Sequence, residues 1–430
     1  MRGLDALLAV LRFLMHEILK DGAVTGGNPQ RSTEHSSIYT LPRLSYLGEV
    51  PVECSYHGSA LLWRLLENYP PEDLLIVEGI HRSSIERRLP GVRYIHPPTP
   101  GVGRMLRTRY AIQVSEVLYR TIPILAASIL PSVASWRPEA IITVCHGLFW
   151  LAAAKVANTL KVPLHLIVHD HVPETVVGSG RLRGRISRDF GRIYSTAATR
   201  FCVSEGMVME YERMFGVAGR VLHPSRARSP LRSSRAVRCS NASGRLTGVF
   251  AGTVTGPGCA DALARLARQL AREGGRLVIY GLFTRAQAAP CGLDLPNVEF
   301  PGLVPARVLR ERCQKEADFL YVPMKFGAED SVNARISFPS KLADYTEMGL
   351  PLLIRGPEYC SAVQWARKHP GVAEVVATED EKELLEAIKR LSNPETRRTL
   401  AQEALRIGEL DFSHSRAESI LFSALARSAA

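Results

Sequence analysis

No two cysteines in the 430 residues stand as Cys-x-x-Cys, so neither a zinc knuckle nor a thioredoxin-type redox motif is available. The eight cysteines are scattered, and some lie in apolar runs, Cys145 in "AIITVCH" and Cys202 in "RFCVSE". Reduced, buried thiols look like this, and the expectation is a cytoplasmic protein. Acidic residues are short, 42 against 54 Lys and Arg, for a formal net charge of +12. That balance favours nucleotides, nucleic acid or acidic lipid without choosing among them, and it is also a common compositional habit. A long apolar run is missing from the N-terminal stretch "MRGLDALLAVLRFLMHEILKDG", whose longest, Ala6 to Leu11, is broken by Arg12. With no small-residue cleavage site after it, the stretch fits neither a signal peptide nor a membrane span. Leu4, Leu7, Leu8, Leu11, Leu14 and Ile18 instead share one face of an amphipathic helix, and Asp21 to Ser37 reads as a polar tether.

What is present is an ordinary globular composition, 46% hydrophobic and 22% charged, on a chain long enough for two domains. From Arg43 onward short Ile/Val/Leu-rich runs alternate with helical ones. "RLSYLGE", "DLLIVEGI", "VRYIHPP", "EAIITVCH", "PLHLIVHD", "ATRFCVSE" and "GRVLHP" read as strands, with helices such as "GSALLWRLLENY" and "LFWLAAAKVANTL" between them. Buried strands joined by helical crossovers predict a parallel, doubly wound α/β domain over residues 38–222, after an extension of 1–37. The composition then turns Ser- and Arg-rich, and residues 223–245 read as a linker. Its Asn241-Ala-Ser is a glycosylation triplet by pattern, which the cysteine usage argues against using. A second α/β run covers residues 246–411, and a helix over 412–430 is expected to cross back to the first domain. Ligands are expected at the carboxyl ends of the strands, in the cleft between the two domains.

The segment "SFPSKLADYTEMGLPLLI", residues 337–354, predicts a helix opened by Pro339-Ser340-Lys341, running to Met348 and stopped by Gly349. Two readings stand. The segment is a helix capped by Ser340 and no more, or its first amides and Lys341 form a seat for an anion.

Four stretches in order carry a resemblance: "VFAGTVTG", "GRLVIYG", "NVEFPGLVP", and "ADFLYVPM" followed by "FPSKLADYTEMGLPLL". Over roughly residues 246–420 they resemble the donor half of GT-B glycosyltransferases, particularly the retaining family 4 (group 1) enzymes. The resemblance implies an α/β fold of two doubly wound Rossmann-like domains facing a cleft. It implies a nucleotide diphosphate sugar as donor, with no further cofactor and no metal. The diphosphate would lie on Ser340, Lys341 and Leu342, and the ribose on Asp344. Gly252 and Thr253 of the first motif belong to the same site. Phe283, following Gly281, and Gly302 with Leu303 would form the base-binding loops, although Gly302 also suits a plain turn. In the first domain His169 and Asp170, ending "PLHLIVHD", are the candidate catalytic residues. His57-Gly58 opens a helix where either a diphosphate or a simple turn fits.

The chain also departs from the pattern. Arg335 and Ile336 stand where the family carries its first acid, and the nearest acids are Glu329 and Asp330. Thr255, Gly256 and Pro257 replace the usual diphosphate-neutralising Arg and Lys, leaving Lys325, Arg335 or Lys341 to compensate. The resemblance further implies peripheral contact with an anionic membrane through the Arg-rich runs "GRMLRTRY" and "GSGRLRGRISRDFGR", against which stands an ordinary solvated helix face. The expected activity is sugar transfer, with retention, to a glycan, lipid-linked or small acceptor; no nucleic-acid partner is expected. A degenerate nucleotide-binding partner protein and a nucleotide-sugar epimerase are the alternatives.

Overall fold

A computed structural model of the chain describes residues 39–54, 57–79, 85–97, 105–106, 108–228, 245–327 and 331–428. The extension 1–37, the stretch 229–244 with Asn241, Glu329 and Asp330 lie outside the described residues. The described residues form two compact units, one of those up to Leu222 together with those from Ala417 onward, the other of those from His223 to Arg416.

The first unit holds seven strands: β1 Leu44–Gly48, β2 Leu74–Glu78, β3 Arg93–Ile95, β4 Ala140–Val144, β5 Leu164–Val168, β6 Thr199–Cys202 and β7 Arg220–Val221. They pair in the order β3-β2-β1-β4-β5-β6-β7, and every pairing is parallel. β1, β2 and β4 are buried along their whole length, because helices cover both faces of a parallel sheet and leave no solvent side for alternation. Helices His57–Leu66, Ala111–Trp136, Phe149–Leu160, Gly180–Thr196 and Glu205–Phe215 supply the crossovers. On one face Tyr46, Ile76, Ile142 and Phe201 meet Leu421, Phe422 and Leu425 of the closing helix His414–Ser428. The Phe422 ring stands edge-on to Tyr69 at 5.6 Å. Each such Leu or Phe contributes about 1.5–3 kcal/mol by leaving water, enough to hold the returning segment on this unit.

The second unit holds β8 Thr247–Ala251, β9 Arg276–Tyr280, β10 Val298–Gly302, β11 Phe319–Pro323, β12 Leu352–Arg355 and β13 Glu374–Val376. Their order is β10-β9-β8-β11-β12-β13, again parallel throughout. In both sheets the winding reverses beside the first strand, between β1 and β4 and between β8 and β11. Those two points are where a doubly wound sheet opens a crevice for a ligand.

One boundary differs from the expectation. Residues 223–228 were expected as linker, yet Ser225 and Arg226 are buried in the second unit, and the Arg226 amide donates to Phe412 O at 2.8 Å. Polar composition suggested exposure, but the Arg226 guanidinium has hydrogen-bond partners that allow its burial.

Candidate functional site

The crevice of the second sheet is built by β8, by the helix Pro257–Arg272 after it, and by the segment 337–349. β8 delivers Gly252, whose φ of 145° lets the chain turn away at the strand end. Tyr345 ties the segment to that end: its hydroxyl receives the Ala251 amide at 2.7 Å and donates to the Ala251 carbonyl at 3.1 Å. One turn earlier Lys341 reaches the same place. Its ammonium lies 4.0 Å from the centroid of the buried Phe250 ring and next to Gly252. The Cys259 thiol, in the first turn of Pro257–Arg272, is close enough to act on its charge. No carboxylate pairs with Lys341 among the described residues. Burial therefore pushes its pKa down, to about 8, because the charged form has lost water and gained only an aromatic face. Lys325, just past β11, runs its side chain against Gly258 at the start of the same helix. Two lysines thus stand at this crevice, where the sequence lacks the expected Arg and Lys.

Other expected donor residues fall beside it. Thr253 is exposed after Gly252, and Ser340 is exposed before Lys341. Asp344 sits half-buried on the Lys341 turn. The ends of β9 and β10 are joined by the Gly281 amide donating to Gly302 O at 3.1 Å, and Leu303 is exposed there.

Three details of the expectation are corrected. The helix runs only over Lys341–Tyr345, not to Met348, and the Ser340 side chain does not cap it. One turn has little macrodipole, so an anion here would be met by the Lys341 charge rather than by helix polarity. The Leu342 amide donates to Pro339 O at 3.0 Å and its side chain is fully buried, so its role is in the core rather than in contact with an anion. The Phe283 ring packs on the core beside Phe300, centroids 6.4 Å apart, and it is Leu282 that points to solvent. A loop residue's direction follows from its local backbone, which alternating patterns do not specify.

The crevice of the first sheet has a different chemistry. Glu49, directly after β1, accepts the Leu148 amide at 3.0 Å and the Phe149 amide as well, while burial pushes its carboxyl pKa up. These contacts fix the turn after β4. Gly147 there has a φ of 56°, and a Cβ on it would overlap the Glu49 carboxylate. His146, exposed beside it, is close enough to act on the charges of both Glu49 and His169. His169 and Asp170 follow β5, and burial pulls the His169 pKa down. His171 turns the other way, with Nδ1 3.2 Å from the Tyr211 hydroxyl, inside an aromatic cluster with Phe190. No group of three His, Cys, Asp or Glu side chains that could hold a metal ion occurs among the described residues. Gly58 lies in the first turn of His57–Leu66, where the nearest atom to a Cβ, on Val50, would be an ordinary 3.6 Å away. Glu49 and His146 were not singled out from the sequence. Their positions directly after β1 and β4, at the reversal of the sheet, were the available signal.

No family model and no curated protein matches the sequence. Solved structures do. Anabaena HepE, in complex with UDP and glucose, is 12% identical with a TM-score of 0.61, over 89% of this chain and 99% of that one. An α,α-trehalose 6-phosphate synthase from Burkholderia multivorans is 14% identical with a TM-score of 0.62, over 90% and 97%. WaaG, a glycosyltransferase involved in lipopolysaccharide biosynthesis, is 13% identical with a TM-score of 0.55, over 88% and 99%. The fold is GT-B. In this GT-B chain the Lys341 crevice belongs to the second Rossmann-like domain and the Glu49–His146–His169 crevice to the first.

Proposed function

We propose that this chain is a glycosyltransferase that moves a sugar, a hexosyl group, from a nucleotide diphosphate sugar to an acceptor. The observation that carries this is the Lys341 ammonium, half-buried over the Phe250 ring at the reversal of the second sheet and partly stripped of water, with no acidic partner among the described residues. A cation that has lost water without gaining a counter-ion is costly, and a diphosphate supplies the missing charge. Lys325 adds a second cation, and Asp344 offers a carboxylate to a ribose. HepE, a protein of the same fold, was solved with UDP-glucose, and a uridine nucleotide is the first donor to test. As the diphosphate leaves, Lys341 stabilises the charge that builds on it, and no metal is required in this scheme. In the first domain His169 and Asp170, with Glu49 and His146 beside them, are proposed to meet the transferred sugar and the acceptor hydroxyl. Transfer with retention is what the motif resemblance implies.

A cytoplasmic enzyme at the inner face of a membrane is proposed with it. Arg181, Arg185, Arg188 and Arg192 share one exposed face of the helix Gly180–Thr196. Ile112 and Ile124 are exposed on Ala111–Trp136, which Tyr119 joins to Asp189 of the Arg-rich helix at 2.7 Å. Basic and apolar groups side by side suit an anionic interface.

One observation favours a second reading, a nucleotide-binding protein without transfer. Where the resemblance places an acid, the buried Ile336 ends a short helix with Arg335 in its last turn. Calorimetry with UDP and a panel of nucleotide sugars, followed by product analysis with and without acceptor, separates the cases. Binding with turnover supports transfer, binding without turnover supports the second reading, and sugar inversion without acceptor indicates an epimerase. Absence of any nucleotide binding sinks all of them.

A further inference from the structure

The turn that carries Lys341 is held from both ends by two residues, His223 and Arg226, more than a hundred positions earlier in the chain. Upstream of the turn, the His223 ring lies against Phe338, centroids 5.0 Å apart, and against Phe412 at 5.5 Å. Downstream, the Arg226 guanidinium is only 5% exposed. It donates to Ala343 O at 3.3 Å, to Thr346 O at 2.8 Å and to Thr346 Oγ1 at 3.0 Å, and it pairs with Glu409 at 3.0 Å. The helix Pro394–Phe412 makes room for it. A Cβ on Gly408 would overlap both Arg226 Nη2 and Thr346, so a glycine stands in a helix interior that glycine otherwise weakens.

We propose that Arg226 is a positioning residue for the donor site, acting through the Lys341–Tyr345 turn rather than by touching the ligand. The proposal rests on Lys341 being the donor cation. Its physical basis is the accounting of carbonyls at the end of a one-turn helix. The Ala343 and Thr346 carbonyls are buried, and Arg226 supplies a charged donor to each. With those bonds made, the turn stops after Tyr345, whose hydroxyl can then lock onto Ala251, and Lys341 stays folded over Phe250. Without them the Thr346 carbonyl must find water and Ala343 O keeps only the Thr346 hydroxyl, the turn shifts, and the Lys341 ammonium moves into solvent. His223 fixes the other end, so the segment entering the second unit and the donor turn form one packed body within that unit.

The test uses the full chain with Arg226→Ala, Arg226→Lys and Gly408→Ala. UDP affinity is measured by calorimetry. The pH dependence of Lys341 acylation by an amine reagent is read by mass spectrometry, and thermal midpoints are recorded. For the unchanged protein the acylation midpoint is expected near 8. Arg226→Ala is expected to weaken UDP on the order of ten-fold and to move the Lys341 midpoint upward toward its ordinary value, with Arg226→Lys recovering part of both. A variant that melts earlier yet keeps its UDP affinity and Lys341 midpoint would reduce Arg226 to a structural staple and overturn the proposal. Should Arg226→Ala not fold, Gly408→Ala crowds the same guanidinium without removing it, and an unmoved midpoint there overturns the proposal equally. If the unchanged protein does not bind UDP, the donor-site reading fails, and the acylation midpoints still decide the positioning claim.

Discussion

The two sheets wind in the same order and carry opposite chemistry at their carboxyl ends. Beyond β8 and β11 stand Lys325 and Lys341, and the Lys341 charge has no acid beside it among the described residues. Beyond β1, β4 and β5 stand Glu49, His146, His169 and Asp170, and β2 ends on Glu78, buried and bonded to the Val52 amide at 3.0 Å. Parallel strands end on a crevice whatever their side chains are, so the backbone makes the place and a few residues decide what it takes. One crevice suits an anion, and the other suits groups that exchange protons with hydroxyls.

Acid should separate the two units most strongly. His165 in β5 is fully buried with neither ring nitrogen hydrogen-bonded, and burial lowers its pKa from 6.5 to about 4. The unfolded chain keeps the ordinary value and binds the proton first. The contribution of the neutral ring is therefore complete above pH 6.5 and is lost as pH falls from there to about 4, some 3 kcal/mol in all. Hydrogen exchange resolved by peptide should show the first unit opening before the second on acidification. A His165→Phe variant should be less sensitive to acid. Equal loss in both units would erase the contrast.

At the second crevice Lys341→Ala should weaken UDP by about ten- to a hundred-fold, the worth of a charged hydrogen bond. It should not lower the melting temperature, because a partly desolvated cation with no acidic partner among the described residues is removed. In the unchanged protein UDP affinity should fall as pH rises through about 8, where Lys341 loses its proton. An affinity flat from pH 7 to 9 would mean that Lys341 does not hold the anion.

Gly147→Ala sharpens the comparison from the first side. A Cβ forced against Glu49 at a left-handed φ should cost about 2 kcal/mol in denaturant melts and leave UDP binding unchanged. The smallest effect is expected for Glu49→Gln, which keeps an acceptor for the Leu148 amide and should stay within about 1 kcal/mol at neutral pH. Burial raises the Glu49 pKa, so its folded form favours the proton and opposes the acid loss from His165. The glutamine variant should therefore lose stability more steeply as pH falls, which an acid titration of the melting temperature can check.

Much of this architecture was legible from local runs. "LLIVE", "AIITV" and "RLVIY" each hold four apolar residues in five, and such a run between helical stretches has few homes other than a buried parallel strand. Lys341 and Lys325 were legible as candidates for the same reason, since motif order placed them after strands. The helix end was not. "KLADYTEM" has no internal stop, and the helix closes early because Thr346 bonds back to the Leu342 carbonyl at 2.8 Å while Arg226 takes the next carbonyls. Nor was the buried role of Arg226, which lies in a stretch whose composition reads as linker.

Alone, then, the sequence determined two parallel α/β sheets, their order along the chain and the strand ends at which a ligand would sit, because hydrophobic periodicity and punctuation are local properties. The tertiary structure decided what Lys341 is. Its altered acidity and its place over an aromatic ring depend on Phe250, on the Tyr345–Ala251 lock and on Arg226, residues brought together across long stretches of chain. The charge state of a side chain follows from the surroundings that burial gives it, and those exist only once the chain has folded.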